Sequence, residues 1–378
     1  SEAWIFNMQD TAAPTTNNYR GTDSQSKSNS NTVTTSQTMD DLAKIISNSS
    51  KIIVVCGAGI SVSSGIPDFR SPSSGIYNLI ASLPEYGSLP QPECLFSLDF
   101  FVDDPTPFWK FAPTLYSNDT HFQPSPTHYF FTELDRRDKL LRVYTQNIDG
   151  LEFDAGLPPS SPATTSKVVQ CHGSMRKVTC MDCKRTFNAP DDIQSSLSSS
   201  EVPRCGETGI VARGDLVPPS SSCNGSSETT SDRPLKKRRR SSRSATVTAT
   251  ESSESKMTRG CPGVLKPNVS FFGEKVTSSV MELMQKDATK ADLVLVVGTS
   301  LQVRPLSTSL SLFQACSDGG PMVVLVNKDS IDMKKTGSKR AFDAEYLGEC
   351  DGVFEAVCEL LEWETKKVVG VDVLSEKK

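Results

Sequence analysis

Apolar residues recur along this chain in two periods. In TMDDLAKIISNSS, residues 38–50, Leu42, Ile45 and Ile46 fall on one face of a 3.6-residue turn, and Thr38 or Asp40 is placed to cap the helix. KIIVVCGAGIS, residues 51–61, is instead a β-branched run ending in glycines, the pattern of a buried parallel strand entering a tight loop. LLRVYTQN (140–147), ADLVLVVGTS (291–300) and PMVVLVN (321–327) repeat that strand pattern. Helical patterns alternate with them: SPTHYFFTELDRRDK, with Ser125 as cap and Pro126 in the first turn, VTSSVMELMQKDATK and GVFEAVCELLEWE. Strands alternating with helices predict an α/β fold, a doubly wound, Rossmann-like parallel sheet.

Two stretches interrupt the alternation. Residues 71–125 carry irregular aromatics and clustered prolines and read as a loop-and-helix excursion. Residues 171–266 contain cysteines at metal-like spacing and read as a smaller zinc-ribbon module. The expected Rossmann-like core is therefore 38–70, 126–170 and 267–365. Residues 1–37, and about 207–258 inside the second excursion, are rich in Ser and Thr without apolar period, the composition of a disordered tail and insertion. Residues 366–378 form a short C-terminal tail.

Composition narrows the class. Hydrophobic residues make up 36% of the 378, with no apolar run near the roughly 20 residues of a membrane helix and no signal-peptide pattern, so no membrane partner is expected. Eleven cysteines spread along so long a chain fit a reducing compartment and one metal site better than a disulfide scaffold. Residues 233–243, RPLKKRRRSSR, hold seven basic residues, and removing them from the net −5 leaves −12. A broad nucleic-acid-binding surface is thereby unexpected. The run PLKKRRR in a surface insertion reads as a nuclear localisation signal, with a solvated charge run or a phosphate contact as the alternatives.

Candidate chemistry gathers at strand ends. Gly57 and Gly59 follow the first strand, where small residues let backbone approach a pyrophosphate, although the spacing is not GxGxxG. Asp68, Phe69 and Arg70 beyond them place an acid, a ring and a cation that a plain turn does not need. GTS (298–300) and NKD (327–329) add polar groups after two further strands, where doubly wound sheets bind ligands. Cys180 and Cys183 are spaced to face one ion; Cys205 and Cys261 are the favoured partners and Cys223 the competitor, with ordinary buried thiols as the metal-free alternative. His172 sits between these groups, equally readable from its own position as a structural residue.

The ordered motifs GAGISVSSGIPDFRS, TQNIDGLE, QCHGSMRKVTCMDC, KPNVSFFGE, VVGTSLQV and VNKD resemble those of the sirtuins, NAD-dependent protein deacylases, over about residues 39–362. The resemblance implies that Gly57, Ala58, Gly59, Ser61, Asp68, Phe69 and Arg70 line an NAD pocket. Gln146, Asn147, Ile148 and Asp149 would form the nicotinamide segment, with Asn147 and Asp149 counted as catalytic beside the general base His172. Gly298, Thr299, Ser300, Asn327, Lys328 and Asp329 would take the adenosine side, with Cys350 and Asp351 beside the adenine. Val269, Ser270 and Phe271 would pair with an extended acyl-lysine peptide, and Cys180, Cys183, Cys205 and Cys261 would close the shell of one structural zinc ion.

The implied reaction is displacement of nicotinamide by the acetyl-lysine carbonyl oxygen, giving lysine, nicotinamide and acetyl-ADP-ribose. Tyr77 lacks an arginine three residues on, so an acetyl or longer apolar acyl group is expected rather than an acidic one. Asn268 and Ser270 depart from the usual KPDIVFFGE, which bears on peptide preference. The Ser/Thr-rich tail and insertion look similar to the fungal nuclear branch, implying acetylated histone lysines, chromatin complexes and silencing. Mono-ADP-ribosyl transfer and a silencing scaffold with weak turnover are the rival activities.

Overall fold

Thr38 caps the first helix, α1 (Met39–Asn48): its hydroxyl accepts the Asp41 N–H at 3.3 Å while the Asp41 carboxylate accepts the Thr38 N–H at 3.0 Å. Of the two expected caps, Thr38 takes the position. The computed structural model describes residues 38–71, 74–116, 122–159, 165–206, 261–274, 278–314, 320–332 and 341–364. The expected tails, the insertion with its basic run, and Cys223 lie outside the described residues.

Nine strands follow in chain order: β1 (Ile52–Cys56), β2 (Leu140–Thr145), β3 (Val168–Gln170), β4 (Gly173–Cys180), β5 (Thr186–Asn188), β6 (Leu265–Val269), β7 (Leu293–Val297), β8 (Met322–Asn327) and β9 (Ala344–Leu347). Six of them build one parallel sheet in the order β3-β2-β1-β7-β8-β9. Counted within that sheet alone, the order is 3-2-1-4-5-6, that of the dinucleotide-binding doubly wound fold. The other three form an antiparallel sheet, β5-β4-β6.

The large sheet is covered on both faces, which is why its strands read as unbroken apolar runs. Ile52, Val54 and Cys56 of β1 and Leu293, Leu295 and Val297 of β7 turn to one side, against Leu42 and Ile46 of α1, Phe130 and Leu134 of α2 (Pro126–Arg136) and Phe354 of the helix Cys350–Leu360. There Phe130 and Phe354 stack with centroids 4.2 Å apart. Ile53, Val55, Val294 and Val296 turn to the other side, against Met284 of the helix Ser278–Ala288 and Phe313. Among the described residues, no helix is long and apolar enough to cross a membrane.

The two excursions share one core. Phe96, Phe101, Phe108 and Trp109 from the first pack with Val178, Leu265 and Phe271 around the small sheet, and the Trp109 indole N–H donates to Leu265 O at 3.1 Å. The expected boundary after residue 266 is corrected here, because it falls inside β6, whose register with β4 (Cys180 opposite Leu265, Gly173 opposite Val269) carries residues 265–269 into the small sheet. The three-residue β3 and four-residue β9 were not among the expected strands.

One buried ion pair ties the second face together. The Arg142 guanidinium on β2 and the Tyr144 hydroxyl both donate to Asp287 Oδ2, with Asp287 1% exposed. Removing one partner strands a charge inside the protein, so Asp287→Ala is expected to destabilise the fold by about 3 to 5 kcal/mol, read as a lowered urea midpoint. A midpoint within error of wild type would contradict this.

Candidate active site and metal centre

The candidate ligand segments leave the large sheet at the carboxyl ends of its strands. Chain order reverses between β1 and β7, the switch point at which doubly wound sheets have their binding crevice. Gly57 N–H donates to Val297 O at 3.3 Å and Gly59 N–H to Gly298 O at 2.8 Å, so the two loops touch backbone to backbone. A Cβ on Gly59 would lie 2.7 Å from Gly298 O, and one on Gly57 would lie 2.9 Å from the Thr299 Cβ. Thr299 is fixed in turn: its hydroxyl donates to Gln146 Oε1 at 2.9 Å and accepts Leu301 N–H at 3.1 Å. The small-residue requirement read from the sequence is thus a steric one at this contact.

The segment after β2 faces the same crevice. Asn147, 6% exposed, donates through Nδ2 to Ser61 Oγ at 3.1 Å, and the Ser61 hydroxyl donates to Asp149 Oδ2 at 2.9 Å. Leu151 N–H donates to Asp149 Oδ1 at 3.0 Å. A chain of hydrogen bonds therefore holds one amide and one carboxylate side by side, the donor and acceptor pair needed to orient a carboxamide. Ser61 is its hinge.

His172 occupies the link from β3 to β4, the passage between the two sheets. Its Nδ1 lies 3.2 Å from Gln146 O and its Nε2 3.0 Å from Arg304 O. Burial, reinforced by the Arg70 charge, lowers its pKa from the ordinary 6.5 against the opposing pull of these carbonyls. The ring is neutral at physiological pH, and a neutral ring donates from only one nitrogen.

Other expected residues fall in distinct settings. Asp68 Oδ1 accepts the N–H groups of Arg70 (2.8 Å) and Ser71 (2.6 Å), shaping the loop that carries Phe69 onto Tyr77 and Phe96. Arg70 lies over the Tyr77 ring, 5.7 Å from its centroid. Asn327 Nδ2 donates to Asp329 O at 2.7 Å, and Lys328 pairs with Glu349 at 2.9 Å on the open surface. Cys350 is buried against Val326 O. Asp351 is committed to the fold: its carboxylate accepts Thr127 N–H at 3.1 Å and the hydroxyls of Ser63 and Thr127 at 2.5 Å. Sequence reading did not place the partners of Asp351, because both are more than two hundred residues away along the chain.

On the small sheet, β6 is an edge strand. Val269 and Phe271 turn inward, Ser270 is exposed, and Ser270 N–H donates to His172 O at 2.9 Å. Residues 266–270, of β6 and the position after it, line a recess of about 420 Å³ together with Thr179 and Cys180 of β4, Leu98 and Glu274.

At the far end of the same sheet the sulfur atoms of Cys180, Cys183, Cys205 and Cys261 lie within 4.8 Å of one another. Cys180 and Cys261 sulfurs are 3.7 Å apart, and those of Cys183 and Cys205 3.5 Å. Disulfides are far shorter, whereas a zinc tetrahedron with bonds of about 2.3 Å has sulfur–sulfur edges of about 3.8 Å. Burial opposes ionisation of Cys183, yet the Arg185 backbone and neighbouring thiols pull it down to about 6. The donor set fits one structural zinc ion, with all four positions filled by protein.

The Sir2 family model matches residues 57–305. Sirtuin-1 of Drosophila melanogaster, named an NAD-dependent histone deacetylase, is 34% identical across 86% of this chain and 33% of its own length. Sirtuin-3 of Mus musculus, named an NAD-dependent protein deacetylase, is 34% identical across 86% of this chain and 76% of its own. The chain thus spans about a third of the fly relative and three quarters of the mouse one. A solved Sir2 with a deacetylated p53 peptide and 3′-O-acetyl-ADP-ribose shares the fold, with TM-score 0.58 and 22% identity over 85% of this chain and 98% of that one.

Zinc analysis of the purified chain is expected to give one ion per molecule. Cys205→Ser should lose the ion and lower the melting temperature, while Cys223→Ser should keep both. Loss of zinc from Cys223→Ser instead would replace Cys205 in the ligand set.

Proposed function

The chain belongs to the Sir2 family, and on that premise we propose that it is an NAD-dependent protein-lysine deacetylase acting on acetylated histones or other protein lysines. The observation that carries this reading is the meeting, in one crevice at the switch point, of His172 with the bonded series Asn147–Ser61–Asp149. Gly57, Ala58, Gly59, Phe69 and Arg70 would hold NAD from the β1 side, and Gly298, Thr299 and Ser300 from the β7 side. When bound, NAD supplies the ribose carbon from which nicotinamide leaves, and the acyl group's acceptor.

The chain's own residues do the rest. Asn147 and Asp149 orient the nicotinamide carboxamide. With Nδ1–H donating to Gln146 O, His172 presents its Nε2 lone pair as the base that takes a ribose hydroxyl proton. Arg304 O faces that nitrogen at 3.0 Å, so the hydroxyl's approach requires this carbonyl to draw back. The open edge of β6 accepts an extended peptide beside His172, which suits a histone tail. The fly relative's name and the basic run at 234–240 support a histone substrate, a role in chromatin silencing and a nuclear address.

Incubating the chain with NAD and an acetylated histone peptide is expected to release nicotinamide and remove one acetyl group, followed by mass spectrometry. His172→Ala should lower kcat by about 10² to 10⁴-fold. Because burial lowers the His172 pKa, the acid limb of the wild-type rate should lie below pH 6.5. NAD consumed with the acetyl group retained would favour ADP-ribosyl transfer. Residues 225–245 fused to a fluorescent reporter should carry it into the nucleus, and a cytoplasmic reporter would count against that address.

A further inference from the structure

Behind Asp149 lies a buried cluster with no direct part in the reaction above. His128 on α2, Asp149, and Glu152 on α3 (Leu151–Asp154) bring a ring nitrogen and two carboxylate oxygens within 4.8 Å of one another. His128 and Glu152 are wholly buried, and His128 Nε2, Glu152 Oε1 and Glu152 Oε2 make no hydrogen bond of ordinary geometry. Such unpartnered polar atoms demand an explanation.

The His128 ring carries no charge at neutral pH: burial lowers it to about 4, with Asp149, Asp351 and Asp154 pulling the other way. Its Nδ1 is engaged by Ser125, 3.1 Å from the backbone N–H and 2.8 Å from the hydroxyl oxygen, whose own proton goes to Ile60 O at 2.8 Å.

Two carboxylates this close and this sheltered do not both ionise. Asp149 receives the Ser61 hydroxyl and the Leu151 N–H, which stabilise its charge; Glu152 receives neither and is the more buried. We propose that Glu152 is a positioning residue of the site: it stays a neutral acid, and with the neutral His128 ring behind it leaves Asp149 as the one charge, held in its Ser61 and Leu151 bonds and turned to the crevice. This assignment rests on the nicotinamide-orienting role proposed for Asp149. Burial first, then the Asp149 charge, raises Glu152 to about 8, with Thr145 and Arg176 opposing. The thiols of Cys56 and Cys171 also face it and are themselves raised, chiefly by burial. Loss of the Glu152 proton to solvent sets a second negative charge against Asp149 and drives it from its donors.

Two measurements on wild type, Glu152→Gln and Glu152→Ala test this. A carboxyl whose folded pKa exceeds its unfolded one contributes stability that is full below the unfolded value near 4.5 and is lost as pH rises through about 8. The melting temperature of Glu152→Gln should therefore fall less than that of wild type between pH 5 and 8.5. In nicotinamide release, wild type should lose kcat/KM for NAD as pH rises through about 8. Glu152→Gln should stay near the wild-type rate at pH 7 and lack that alkaline loss, while Glu152→Ala should fall about tenfold or more at every pH, the scale seen when a group that orients a functional residue is removed. Wild-type melting slope and alkaline limb in Glu152→Gln would overturn the proposal, as would unchanged kcat/KM in Glu152→Ala. If wild type releases no nicotinamide, the functional reading fails, and the melting comparison still supports or overturns the neutral acid.

Discussion

The architecture of the crevice depends on two glycines in contact across a strand boundary. Gly59 sits so close to Gly298 that a Cβ would reach 2.7 Å from its carbonyl oxygen, and a Cβ on Gly298, itself at φ +55°, would reach 2.8 Å from Ile60 N. Neither position has room for a side chain. That contact sets the turn that follows, Ala58–Ile60, and the turn sets two groups that matter beyond it. Ser61 is delivered to Asn147 and Asp149, and Ile60 O receives the Ser125 hydroxyl beside His128. A methyl group at Gly59 would push the β1 and β7 loops apart and disturb the crevice and the buried cluster behind it together.

Much of this was legible in the chain. The apolar β-branched runs marked β1, β2, β7 and β8 because each is buried on both faces and needs no help from its neighbours to declare itself. Helix α2 declared itself through Ser125 and Pro126 at its start. The short strands were not legible: β3 and β9 are three and four residues long and become strands only because β2 and β8 offer them open edges. β4 reads GSMRKVTC, polar at most positions, and is a strand because β5 and β6 pair with it on either side.

The site divides the same way. Glycines, the TQNID segment and His172 stand out locally because their chemistry and spacing do. Their hydrogen-bond partners do not. Asp351, expected beside the adenine, has its oxygens taken by Ser63 and Thr127, both more than two hundred residues earlier in the chain. Nothing in the sequence singles out Glu152, and only the fold reveals that it is enclosed beside Asp149. Local sequence specifies which groups are present; long-range pairing decides which of them carry charge.

The relation between histidine and cysteines follows from one strand. His172 immediately precedes β4 and Cys180 ends it; β4 bulges between Ser174 and Val178, so its two ends lie opposite Val269 and Leu265, roughly 13 Å apart at the rise of a strand. No thiolate-bound ion at one end touches the ring at the other. Its effect on the site is mechanical: the four thiols join the end of β4 to the segments at Cys205 and Cys261, on either side of residues 207–260, and the second of these runs directly into β6. β6 returns along β4 to put Ser270 N–H on His172 O. Holding that long connection closed at its base fixes the register of β6, and the register of β6 decides which backbone groups would face the proposed peptide beside His172. On the proposed reading, the metal centre supports the chemistry from the far end of the sheet by keeping the proposed substrate edge in place.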